Sequence, residues 1–210
     1  MKSNILFVHL PRTGGTFIRD YGKATKYINY YANYKQRDGH LPAREIKEPD
    51  KWFKFGFIRN PFDWYVSQYF YFAGKKEPNI ETGIFKGVDK GLWGTEFVAE
   101  FPLFKDWMFY GYTNRKKLPY FWLINIYDYM FYDKEGRLFL DYLGKFESLY
   151  KEIAYVLDIN GIHPSTSLKG FQGNRNASKH KNYKEYYRVE DKEHVEEIDG
   201  LLLRRYGYKY

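Results

Sequence analysis

The chain contains no cysteine. That excludes disulfides and thiolate-held metal centres, and it fits a reducing compartment. Nor is there an apolar run near the ~18 residues that mark a membrane-spanning helix. The apolar stretch at residues 5–10 is too short for the core of a secretory signal, and no small-residue cleavage site precedes the glycines after it. A cytoplasmic protein without a membrane span is expected. No cluster of His, Asp and Glu has metal-ligand spacing, so no metal is expected either. Acidic residues are in deficit: 26 Asp and Glu stand against 34 Lys and Arg, a net charge of +8. An excess of positive charge favours an anionic ligand or substrate. Aromatics, by contrast, are abundant, with 23 Tyr, 18 Phe and 5 Trp. Such a composition excludes disorder, and most of these rings are expected in a core. The length of 210 residues suits a single domain, 1–210.

Residues 4–9 form a short apolar run consistent with a central strand, and residues 16–23 can continue as a helix after a glycine pair. The aromatic run at 27–34 is ambiguous. Residues 36–40 read as a polar turn and 53–58 as a second strand. Asn60 then suits a helix N-cap and Pro61 the first helical position, for a helix reaching residue 72. The glycine-rich stretch 74–94 reads as an irregular insertion. Residues 95–109 and 118–130 look helical, and "DKEGR" predicts a hairpin, or a turn into a strand, within 131–143. Phe146, Leu149, Ile153 and Val156 recur at helical spacing up to Asn160-Gly161. Residues 164–182 read as a loop. Val195, Ile198, Leu202 and Tyr206 mark a last amphipathic helix. Strands alternating with helices predict an α/β fold with a mostly parallel sheet.

The first strand runs into "HLPRTGGTF". Compared with the phosphate-loop pattern G-x-x-x-x-G-K-[ST], Gly14 and Thr16 match, His9 replaces the first glycine and Gly15 replaces the lysine. The amides of residues 13–16 can still form a concave donor set at a helix N-terminus. Without the lysine, a triphosphate with Mg²⁺ is poorly served. Arg12 can instead pair bidentately with one terminal anionic group. The second strand ends in "FGFIRNPFDWYVSQY", which puts Arg59 at its C-terminal edge and Ser67 along the following helix. Ligands of open α/β sheets bind at those edges. Arg12 and Arg59 are therefore expected to converge on one crevice, as two anion sites for a nucleotide with phosphates at two positions.

Together these stretches resemble the two cofactor signatures of sulfotransferases that use 3′-phosphoadenosine 5′-phosphosulfate (PAPS). The pattern is most similar to carbohydrate sulfotransferases of the heparan-sulfate or Golgi type. The resemblance implies a P-loop NTPase-like sulfotransferase fold, with a central sheet flanked by helices. It implies that Pro11, Arg12, Thr13, Gly14, Gly15, Thr16 and Phe17 receive the 5′-phosphosulfate, with Arg12 standing where lysine is usual. Arg59 and Ser67 would take the 3′-phosphate. "FLDYLGKFESL" resembles the family's strand-to-helix segment after the acceptor region. "NRNASKHKNYKEYY" followed by "LLLRRYGYKY" resembles its C-terminal end, where a basic loop covers the nucleotide. Arg175 and Ser178 are the residues of that loop expected at the nucleotide, and residues 170–181 are expected to close on it. Residues 74–130 carry no matching signature.

Sulfuryl transfer to a hydroxyl needs a base for the attacking oxygen and positive charge at the leaving phosphate. Sugar sulfotransferases that resemble this chain often carry a catalytic histidine upstream of the second signature. His40, in "RDGHLPAREI", is the candidate on that ground, with Glu45 as the alternative and Arg12 at the leaving group. His9 reads as a structural residue facing the sheet, His163 and His194 as surface residues, and His180 as part of the basic loop. The expected partner is a hydroxyl acceptor, most readily a glycan, and no nucleic acid. Two other readings stand beside this one. A P-loop kinase would need the absent lysine. A basic RNA-binding module would account for the charge and for tyrosines interleaved with lysines, but not for two anion loops at strand ends.

Overall fold

In the computed structural model, residues 4–30, 40–73, 103–114, 126–163, 168–171 and 180–210 are described. Their contacts divide the chain into two compact units, one of residues 1–59 with 127–176 and the other of residues 60–126 with 177–210.

The first unit holds a four-stranded sheet of β1 (Ile5–Phe7), β2 (Ile28–Tyr30), β3 (Phe53–Ile58) and β4 (Tyr142–Lys145), in the order β2-β1-β3-β4. Every pairing is parallel, with Ile5 opposite Ile28 and Phe53, and Phe55 opposite Tyr142. Parallel strands need covering on both faces, so their sequences run apolar without polar alternation. β1 is wholly buried, and β3 is buried from Lys54 onward. On one face Ile5, Phe7, Phe55 and Phe57 pack with Phe17, Ile18 and Tyr21 of α1 (Gly15–Thr25) and with Ile153, Val156 and Leu157 of a later helix, Leu149–Ile159. On the other, a side chain at Gly56 would run into Phe131 and Leu140.

Strand β1 is shorter than the apolar run, because the chain leaves the sheet at Val8 to build the loop; Val8 N–H still donates to Phe55 O at 2.8 Å. The ambiguous aromatic run contributes the edge strand β2. The "DKEGR" stretch forms a turn closed by an antiparallel bridge between Tyr132 and Leu138, and the chain then enters β4. Asp133 supports that turn by accepting from the N–H groups of Glu135 and Arg137.

Among its described residues the second unit is helical, with α2 (Pro61–Ala73), α3 (Phe104–Thr113) and the C-terminal helix (Val189–Tyr206). Between the units' segments in sequence lies α4 (Ile126–Phe131), so the helix Leu149–Ile159 is α5 and the C-terminal helix is α6. Asn60 caps α2 as its sequence predicts, its side chain accepting from Phe62 N–H at 3.1 Å. Many of the aromatic residues are buried, Trp64 and Trp107 fully, while others such as Phe109 and Tyr155 are exposed. The expected apolar stripe of α6 is corrected. Val195 is buried, but its companions are Asp191, Asp199 and Leu203 rather than Ile198 and Leu202. Polar partners make that shift possible. Tyr65 Oη donates to Asp199 at 2.9 Å, and Arg188 donates to Asp191 through its backbone and its guanidinium. His194, expected at the surface, stacks on Tyr112 with ring centroids 3.6 Å apart. His163 is largely exposed, as expected. Among the described residues no helix is long and apolar enough to cross a membrane.

Candidate active site

The strand order places β1 and β3 side by side while the chain passes from β2 across to β3. Their C-terminal ends therefore border the kind of switch point at which open α/β sheets bind ligands. The glycine loop follows β1 and Arg59 follows β3. The structure brings the two together: Arg59 Nη1 donates to the backbone oxygen of Arg12 at 3.1 Å. The Arg59 guanidinium also lies 4.9 Å from the Phe146 ring centroid, and its own carbonyl accepts from Tyr127 Oη at 3.0 Å. At the end of β3 the buried Arg59 guanidinium is thus tied to the glycine loop and to the Phe146 ring.

The loop is bent by two left-handed residues, Arg12 at φ 63° and Gly14 at φ 80°. A non-glycine residue in that region is uncommon and concentrates at functional turns. Thr13 is fully buried, and its hydroxyl donates to Leu10 O at 2.7 Å, so its side chain braces the loop from within. Beneath Gly14 lie Leu149 and Phe146. The first helical bond of α1 runs from Ile18 N–H to Gly14 O. The amides of Gly15, Thr16 and Phe17 precede it, at the positive end of the helix dipole. No acidic residue occupies the first turn of α1 to compete with an anion there.

Histidine 9 is the residue that sequence reasoning undervalued. Its ring does not merely face the sheet. A Cβ on Gly15 would sit 2.0 Å from His9 Nε2, so the imidazole fills the space that a lysine stem at position 15 would need. The two departures from the phosphate-loop pattern are therefore one exchange: a ring at position 9 demands glycine at position 15. His9 Nδ1 pairs with the Tyr30 hydroxyl at 2.5 Å. Although the residue keeps some surface, burial of the ring pushes its pKa well below the ordinary histidine value, and the charges of His40, Arg19 and Arg12 add to the shift. Its place directly before the loop was a signal. The contact with Tyr30 was not, since it joins the loop to the ambiguous aromatic run.

His40 lies against the same ring, with centroids 4.3 Å apart. Its Nδ1 is 3.0 Å from the His9 carbonyl. A carbonyl only accepts, so Nδ1 carries a proton, and in the neutral ring Nε2 is then the acceptor nitrogen, the tautomer a base requires. Glu45, the alternative base, is exposed at the end of the short turn Ala43–Glu45, whereas His40 is tied to the segment that enters the loop. Beside it Arg44 donates to Tyr129 O at 2.6 Å and covers that ring. Ser67 is buried in α2. Arg175 and Ser178 lie outside the described residues, as does most of the segment 170–181. No group of three or more His, Asp or Glu that could hold a metal occurs among the described residues.

A family profile described as "Sulfotransferase family" matches residues 2–209. The chain belongs to the sulfotransferase family. No curated protein and no solved structure matches it significantly. The glycine loop of this sulfotransferase follows a buried parallel strand, and the position of the phosphate-loop lysine is closed by His9. The kinase reading fails on that steric ground as well as on the missing residue.

Proposed function

We propose that this sulfotransferase moves the sulfuryl group of PAPS to a hydroxyl, most readily that of a carbohydrate, and that residues 1–210 act as one catalytic domain. The observation that carries the donor assignment is the pairing of Arg59 with the Arg12 carbonyl, which supports two cationic positions at neighbouring strand ends. One negatively charged group then meets the amides of Gly15, Thr16 and Phe17 with Pro11, Thr13 and Gly14 shaping the turn and Arg12 adding charge. The 3′-phosphate falls to Arg59 and Ser67, with Arg175 and Ser178 from the C-terminal loop. In the reaction the acceptor oxygen bonds to sulfur, its proton passes to His40 Nε2, and the bond from sulfur to the phosphate oxygen breaks. The departing bisphosphate keeps the electron pair, and the helix end and Arg12 stabilise that charge. The carbohydrate preference rests on the sequence pattern.

Adenosine 3′,5′-bisphosphate should raise the melting temperature well above the shift given by ATP with Mg²⁺. Equal shifts would overturn the donor assignment. Arg59→Ala should cost the bisphosphate about 1.5–3 kcal/mol, the range of hydrogen bonds to charged groups. Adenosine 5′-monophosphate should lose much less on the same variant, and comparing two ligands on one protein cancels any change in folding. A transfer assay with labelled donor against glycans, phenols and lipid alcohols identifies the acceptor class.

The charge at the leaving phosphate is assigned to protein groups, so turnover should persist in excess EDTA. Complete loss, restored by Mg²⁺ or Zn²⁺, would assign that charge to a metal instead.

A further inference from the structure

We propose that His9 is a positioning residue for sulfuryl transfer: its ring, wedged between the glycine loop and His40, sets the orientation of the base relative to the loop that receives the donor. The inference rests on the reading of His40 as that base.

Three contacts immobilise the ring. Nδ1 is paired with Tyr30 on β2, Nε2 is pressed against Gly15 at the start of α1, and Phe7 lies at a centroid distance of 5.5 Å. His40 is less enclosed, being only half-buried. Its hydrogen bond to the His9 carbonyl selects the tautomer and anchors one edge of the ring. The face of His9, 4.3 Å away at an interplanar angle of 42°, bears against the same ring, so one residue touches the base through its backbone and its side chain. Loop and base are thereby referred to one rigid group, and small errors in such a placement are costly to rate. Burial also keeps His9 neutral, so no like charge opposes the imidazolium that His40 becomes when it takes the acceptor proton.

The test uses the full chain and three variants. His9→Asn retains a polar partner for Tyr30 but removes the stacking face. It should lower kcat by roughly 10–100-fold, in line with the cost of misplacing a reacting group by about 1 Å. The Kd for adenosine 3′,5′-bisphosphate should change by less than about threefold, since the loss is confined to the reacting geometry. His9→Phe keeps a flat ring and should recover most of the lost kcat. Tyr30→Phe removes only the hydrogen bond and should give a smaller loss in the same direction, and it serves if the position 9 variants fail to fold. Two-bond ¹H–¹⁵N spectra supply a readout independent of activity. His40 should show a protonated Nδ1 and an unprotonated Nε2 in the parent protein, and displaced ring resonances in His9→Asn, whose backbone carbonyl still selects the same tautomer. Parent-level turnover with an unchanged His40 spectrum in His9→Asn would overturn the proposal. So would parallel loss of kcat and nucleotide affinity with the spectrum intact, which would confine His9 to bracing the loop. If His40→Ala keeps full turnover, the base assignment falls instead, while the spectra still decide whether His9 orients His40.

Discussion

His40→Ala is expected to lower kcat by roughly 10²–10⁴-fold, the usual contribution of a general base. Binding of adenosine 3′,5′-bisphosphate should barely change. The separation follows from where His40 is anchored. Its Nδ1 donates to the backbone of His9, so removing the ring takes away Nε2 and one face of a stack without disturbing the amides of α1 or the Arg59–Arg12 contact. An imidazole with an ordinary pKa of about 6.5 is also the side chain best matched to taking a proton near neutrality. Initial rates under saturating donor, with nucleotide affinity measured calorimetrically, check both halves. Parent-level turnover would move the base elsewhere, and Glu45→Gln would be measured next.

Gly15→Ala should damage both stability and turnover, although it adds a single methyl group. The new carbon would meet the His9 ring at 2.0 Å, and that ring is held by Tyr30 and backed by Phe7 and His40, so it has no easy retreat. Overpacking of this kind costs about 1–3 kcal/mol. For a chain of this size that amounts to a fall in melting temperature of about 2–4 °C per kcal/mol. Any rearrangement that relieves the clash displaces His9 from His40, so kcat should fall with it. Gly15→Lys restores the spelling of a triphosphate-binding loop, yet it should gain no affinity for ATP with Mg²⁺, because the stem has nowhere to leave the backbone. The pairing of the two positions can be isolated. His9→Ala combined with Gly15→Ala should be less destabilised than the sum of the single changes, a positive coupling expected for residues in direct contact. A Gly15→Ala protein as stable and active as the parent would show that the His9 ring is free to move.

The sequence by itself determined the class of fold and the places of the glycine loop and of Arg59 at strand ends. The apolar run at β3 matched its strand residue for residue, because a central parallel strand is buried on both faces and announces itself without periodicity. Asn60-Pro61 announced the start of α2 through local capping chemistry, and the glycine pair announced the turn before α1. These signals are short-range, carried by residues within a few positions of one another. What only the tertiary structure decided depends on contacts between distant segments. The Arg59–Arg12 bond spans the β1 and β3 ends, and the buried stripe of α6 is shifted to Asp199 by Tyr65, a residue far away in the chain. The relation between His9, Gly15, Tyr30 and His40 is the clearest case. Each is an ordinary residue in its own stretch, and none of the spacings between them has a helical or strand period. Parallel pairing of β2 beside β1 brings Tyr30 to His9, and the turn out of β1 folds Gly15 back over the same ring. The missing lysine was visible in the chain from the start. That an imidazole occupies its place became visible only when the loop closed on itself.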